Sequence, residues 1–305
     1  MKIVLSKSHI FRNPHPGIAV LLVFITFIGT GILNFFRSSM IPEFNLDFWL
    51  GPICISLASW LINVILVYRS RYLLSNYLLG WSWWCLLIAL TNEPLTWKQS
   101  LLSIGVAIWL AITFELSDER KTSLRTRSNL GFVSALLGFI HPSLFSLLAP
   151  SVLSLSIGLK TEIKAVIQVS LAWLLPIVLY VFFLIFSSEQ LPMLNNNFNI
   201  DISSRMPLIG EYIILIWGVF AIGQTLKALV NAKKPKRRGL LLSWLGIGYA
   251  IVLAFLLPGG DEYVALLAVF FGPHLVNLKD YIHPKKLRYW LTPSLIFAAI
   301  IQIMI

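Results

Sequence analysis

Two pairs of carboxylates and one histidine stand where this chain could do chemistry. Glu43 and Asp47 are four residues apart in IPEFNLDFW, and Asp261 and Glu262 are adjacent in PGGDE. The Pro-Gly-Gly turn holds the second pair tightly at the mouth of a hydrophobic stretch. His141 precedes Pro142 in GFIHPSL, a break inside another apolar run. A carboxylate beside a cation that grips phosphate can take the proton of an acceptor hydroxyl during group transfer. His141 could donate a proton or touch a phosphate there, or it could simply cap a helix end at a polar turn. The catalytic candidates are therefore Glu43, Asp47, His141, Asp261 and Glu262.

A second set could hold an apolar ligand. Trp81 and Trp84 of GWSWWC share one helical face, with Tyr77 one turn earlier. With Arg205 of the Asn-rich segment SSEQLPMLNNNFNIDISSRMPLIG, they form the candidate lipid- or ligand-binding group. They could line a site for a polyprenyl chain. Packing against neighbouring helices, with the indole N–H groups bonded to carbonyls, is the favoured account.

The elements that must position these residues are membrane spans. Hydrophobic residues make up 57% of the 305, charged residues only 12%, and the mean hydropathy is +0.81. Soluble domains average about 25% charged residues. Apolar stretches at about 17–36, 51–68, 72–91, 99–116, 165–187, 209–230, 239–257, 262–278 and 287–305 each approach the roughly 20 residues a span needs. Residues 130–158 form either one helix kinked at Pro142 or two short ones, 130–141 and 143–158. Charge favours two, because Arg127 and Lys160 then lie on the same side. Each half is short for a span, which implies local thinning, a re-entrant hairpin or cover by other helices.

The expected fold is thus all-α, a polytopic transmembrane bundle of ten to eleven spans with its N-terminus cytoplasmic. It is a single integral membrane domain over 1–305, with no room for a folded soluble domain. All of the 24 cations except Arg37, Lys98 and Arg205 then fall in inner segments, as the retention of positive charge on the cytoplasmic side requires. That same asymmetry leaves acids in outer loops whether or not they act. Residues 1–16 read as an amphipathic segment on the inner surface. Residues 187–210 are the longest outer loop, and 231–239 the most basic inner one. The N-terminal apolar stretch has no small-x-small cleavage site and reads as a retained first span, which places the C-terminus in the periplasm.

The net charge of +11 sits in short loops beside spans. It suits anionic headgroups and excludes nucleic acid as a partner. Cys54 and Cys85 fall inside predicted spans, and no CxxC or Cys/His spacing suggests a metal. No Walker, dinucleotide, HExxH or GxSxG motif is present, so no cofactor is expected. No ionisable residue stands near the middle of a predicted span, where the polar residues are Asn63, Gln168, Ser170 and Gln224. This argues against a proton-coupled pump. Pairs of small residues, Gly29 and Gly31, Ser134 and Gly138, Gly246 and Gly248, allow close helix approach.

Three stretches carry a resemblance. They are LLSNYLLGWSWWCLLIAL, DERKTSLRTRSNLGFVSALLGFIHPSLFSLLAPSVL, and LLPGGDEYVALLAVFFGPHLVNLKDY with its P-x-x-D-E-Y and F-x-P pattern. Together they resemble an uncharacterised family of polytopic inner-membrane proteins of Bacteroidota, which implies a bacterial inner membrane and carries no activity with it. The layout of 99–187 is similar to the central membrane part of C-type glycosyltransferases, which use polyprenyl-phosphate sugars. That likeness implies a catalytic acid in the first outer loop, where this chain offers Glu43 and Asp47. It departs from them in having a short first outer loop and no extra outer domain. The expectation is an envelope-biogenesis protein that handles a polyprenyl-phosphate lipid or sugar at the outer face. The alternatives are a non-catalytic membrane subunit bound to other proteins of an envelope or secretion complex, and an uncoupled lipid or solute transporter.

Overall fold

A computed structural model describes residues 16–37, 46–69, 78–91, 94–116, 123–158, 163–187, 209–231, 234–256 and 262–281. It also describes most positions between 293 and 301. The described residues are helical apart from short connections, and none is in a strand. In chain order the helices are α1 (Pro16–Arg37), α2 (Leu46–Arg69), α3 (Leu78–Leu90), α4 (Trp97–Leu116), α5 (Leu124–Ile140), α6 (Leu148–Gly158), α7 (Ile163–Ser187), α8 (Ile209–Asn231), α9 (Lys234–Leu256) and α10 (Glu262–Tyr281). A 3-10 segment, Pro142–Leu147, joins α5 to α6. Among the described residues, four stretches are long and apolar enough to cross a membrane: Ala19–Arg37, Trp49–Leu66, Trp97–Leu116 and Ile163–Ile185. This is a helical membrane protein.

The bundle is layered around α3, α4 and α10. Nearly every described side chain of α3 and of Tyr263–Leu275 in α10 is buried, as expected of helices that are apolar on all sides. Trp83, Trp109, Phe270 and Phe271 are the bulkiest fully buried side chains. Around this centre, α2 packs on α1 and α4, α9 on α10, and α5 on α4 and α7. By contrast only 22% of the α1 span and 11% of the α7 span are buried, which makes these two helices peripheral.

Hydroxyls and indoles tie the helices together, as membrane interiors favour. Trp109 Nε1 of α4 donates to Ser151 Oγ of α6 at 3.0 Å, and Ser151 Oγ is 2.8 Å from Ser134 Oγ of α5. Ser243 of α9 donates to the Phe270 carbonyl of α10 at 2.8 Å, in the turn that Pro273 loosens. Asn34 of α1 clamps the connection before α4: its Nδ2 donates to the Leu95 carbonyl at 3.0 Å and its Oδ1 accepts from the Leu95 N–H at 2.7 Å. Arg37 fastens the same end, donating to Thr91 Oγ1 at 3.0 Å and to the Ile88 carbonyl at 3.1 Å. Asn34→Leu should strand both backbone groups of Leu95 in a buried setting. Each unmade buried bond costs about 1–3 kcal/mol, so a clear fall in the unfolding midpoint in detergent is expected.

Three expectations need correction. Asp47 was expected in a loop but lies in the first turn of α2, because the helix starts at Leu46. The polar stretch 115–129, between two expected spans, is expected to be an inner loop, yet α5 begins at Leu124. Ser123 caps it, its Oγ accepting the Thr126 N–H at 3.2 Å, and Arg125 and Arg127 are good helix formers. The basic segment 231–239 is helical from Lys234 onward, with Pro235 tolerated in the first turn.

Candidate functional site

The chain breaks at His141. Its backbone is extended (φ −143°, ψ 118°), its N–H donates to the Leu137 carbonyl at 3.0 Å, and its carbonyl accepts from the Leu144 N–H at 2.9 Å. The ring Nδ1 lies 2.6 Å from Ser143 Oγ. Pro142 supplies no N–H to continue α5, so the helix stops there. Phe139 stacks edge-on against both Phe145 and Tyr180, which fixes the last turn of α5.

Against this end of α5 stands the start of α4. Thr96 donates its backbone N–H to Gln99 Oε1 at 3.1 Å, half of a capping box. The exposed Lys98 follows, its Nζ 6.0 Å from the centre of the Trp97 ring, at the outer limit of a cation–π contact. Between the two helix ends is a pocket of about 390 Å³. Lys98 and His141 are among its lining residues, and Trp97, Leu101, Leu102 and Phe139 supply apolar surface. Two basic side chains, a helix N-terminus and an apolar wall suit an amphiphile with an anionic head.

The other candidates distribute differently. Glu43, Tyr77, Arg205 and Asp261 lie outside the described residues. Asp47 falls in the first turn of α2 and Glu262 opens α10. Trp84 is in the core: its Nε1 donates to Thr30 Oγ1 at 3.0 Å, and its ring closes on Gly29 of α1. Trp81 lies 5.1 Å from Trp84 between ring centres and borders a small cavity between α1, α2 and α3. Its indole N–H and Asn63 Oδ1, which borders the same cavity, are buried without hydrogen-bond partners. Trp84 is thus a packing residue here, and Trp81 only partly so.

Lys98 entered the sequence argument only as a cation on the wrong side of the charge pattern, and that exception is the signal that marks it. His274 is a second residue the sequence reading passed over. It is 1% exposed in α10, with Nε2 unbonded and its ring 4.6 Å from that of Trp244. Cys54 and Cys85 are free thiols in α2 and α3. Among the described residues no group of three His, Cys, Asp or Glu could hold a metal ion. No protein-family model, curated protein or solved structure matches this chain.

Proposed function

We propose that this protein spans a bacterial inner membrane eleven times with its N-terminus in the cytoplasm, and that it serves envelope biogenesis. In this reading the α4–α5 pocket receives the phosphate end of a polyprenyl-phosphate lipid or sugar at the extracytoplasmic face. The observation that carries it is the convergence of Lys98 and His141 on one apolar-walled pocket. The charge pattern supports the side: the basic segments gather at the other ends of these helices, leaving Lys98 among the few cations opposite. The pocket's volume lies within the range of about 300–1,000 Å³ typical of small-ligand sites. The apolar tail would continue into lipid past Leu101 and Phe139.

Glycosyl transfer is the chemistry this arrangement suits. The acceptor hydroxyl attacks the anomeric carbon and gives its proton to a carboxylate. The polyprenyl phosphate leaves with the electron pair of the broken C–O bond. Lys98 and His141 stabilise the charge on that phosphate. Glu43, Asp47, Asp261 and Glu262 are the candidates for the base.

Lys98→Ala and His141→Ala should each weaken retention of a polyprenyl phosphate by about tenfold or more, since a hydrogen bond to a charged group contributes about 1.5–3 kcal/mol. Titration of the purified protein with the lipid, followed by native mass spectrometry, measures this. Unchanged retention in both variants, with normal elution on size exclusion, would end the reading.

A further inference from the structure

At the opposite end of α5 the molecule carries a second surface of amphiphilic character. A shallow groove of about 530 Å³ runs along α7 from Gln168 to Val178, with Ser128 of α5 at its start. Its walls are Leu171, Leu174, Leu175 and Val178, all substantially exposed, and Ala172 forms a low floor. Ten residues of helix rise about 15 Å. That is half of the roughly 30 Å hydrocarbon core, the depth of one leaflet.

The polar groups stand at one end only. Arg127 Nη1 donates to Gln168 Oε1 at 3.5 Å, which brings the guanidinium to the groove's polar end. Arg125 and Lys164 are exposed on the adjoining turns, Lys164 one turn before Gln168 on the same face of α7. The first two turns of α5 and of α7 contain these three cations, and Glu162 is the residue before α7 in the sequence. Charge at one end, an apolar track one leaflet long, and a helix only 11% buried over its span describe a lipid seat rather than a solvated face.

We infer that the α5–α7 groove binds an anionic glycerophospholipid of the leaflet next to the basic loops, with its phosphate at Arg127 and one acyl chain along Leu171, Leu175 and Val178. The Gln168 bond holds the guanidinium at the groove's polar end, where its fixed positive charge attracts the phosphate. Arg125 and Lys164 add attraction for negative headgroups without contributing to the packing of the bundle. This inference is independent of the polyprenyl-phosphate reading: the two ends of α5 are about 24 Å apart at 1.5 Å per residue.

Native mass spectrometry of the full chain in detergent tests it, with phosphatidylglycerol and phosphatidylcholine of identical acyl chains as probes. The wild type should retain phosphatidylglycerol at least tenfold more strongly. Arg127→Gln should bring the two lipids level, and Ala172→Trp, which fills the groove, should weaken both. If Arg127→Gln fails to fold, the exposed pair Arg125→Gln and Lys164→Gln decides, with a loss of preference of about fivefold per cation expected. Equal retention of both lipids by the wild type, or a preference unmoved by these substitutions, would overturn the inference. So would recovery of another membrane protein, bound stoichiometrically along α7, in place of lipid.

Discussion

Gly131→Ala is expected to loosen α7 from the bundle and lower the unfolding midpoint, although alanine is the better helix former. A Cβ at Gly131 would overlap the Val169 carbonyl oxygen and stand 3.0 Å from the Trp173 backbone nitrogen. Those atoms belong to the helix rod of α7 and cannot swing aside as a side-chain tip would. The intrinsic gain of replacing glycine in a helix is about 1 kcal/mol, while overpacking a tight contact costs about 1–3 kcal/mol. The clash should therefore win, and α7 is the helix it displaces because α7 packs chiefly on α5, with lesser help from α6. Gly31→Ala and Gly248→Ala are the controls. Nothing lies within 4 Å of a Cβ at either position, so both should hold or raise the midpoint. A stable Gly131→Ala protein would mean that α7 is not seated against α5 as described.

Trp109→Ala should be the most damaging single truncation in the core. The indole is fully buried, meets Phe270 edge-on at 5.7 Å between ring centres, and donates to Ser151. Phe270 is in turn pressed against Gly246 of α9. One side chain thus joins α4, α6 and α10 directly and α9 through its neighbour. Truncating a buried tryptophan costs about 3–5 kcal/mol, a large share of the stability of most folded domains. Loss of the monodisperse peak on size exclusion is the expected result. Trp109→Phe should be milder, because it keeps most of the volume and leaves the Ser134–Ser151 contact to satisfy the hydroxyls.

Hydropathy carried much of the helix layout. The helices begin and end within a few residues of the apolar stretches, and the break at His141–Pro142 follows from proline's missing N–H. Where loop and helix were confused, at 123–129 and 234–239, charged residues stood in helical turns that extend past the apolar run. The small-residue pairs were half informative. Gly29, Gly138 and Gly246 each meet an aromatic ring, whereas Gly31 and Gly248 face open space. Gly131 and Gly80, which meet the backbone of another helix, stood out in no pattern, because the partner backbone leaves no mark on local sequence. The same holds for the candidate site. His141 was visible as a turn, but its nearness to Lys98, 43 residues earlier in the chain, is a product of how α4 and α5 pair.

The hydroxyl and amide links between helices also set a timetable for synthesis. Asn34 meets its partner only 61 residues later. At about 5–20 residues per second, α1 waits roughly 3–12 s before Leu95 exists to be clamped. Trp109 waits for Ser151, 42 residues on, and Trp217 for Ser294, 77 residues on. Ser134 and Ser151 are only 17 apart, so the α5–α6 hairpin can close on itself as it emerges and then accept Trp109. Each earlier helix must meanwhile carry an unmet polar group beside the insertion machinery. Slowed translation between residues 34 and 95 should therefore prolong the wait of Asn34, and slowing between 217 and 294 that of Trp217.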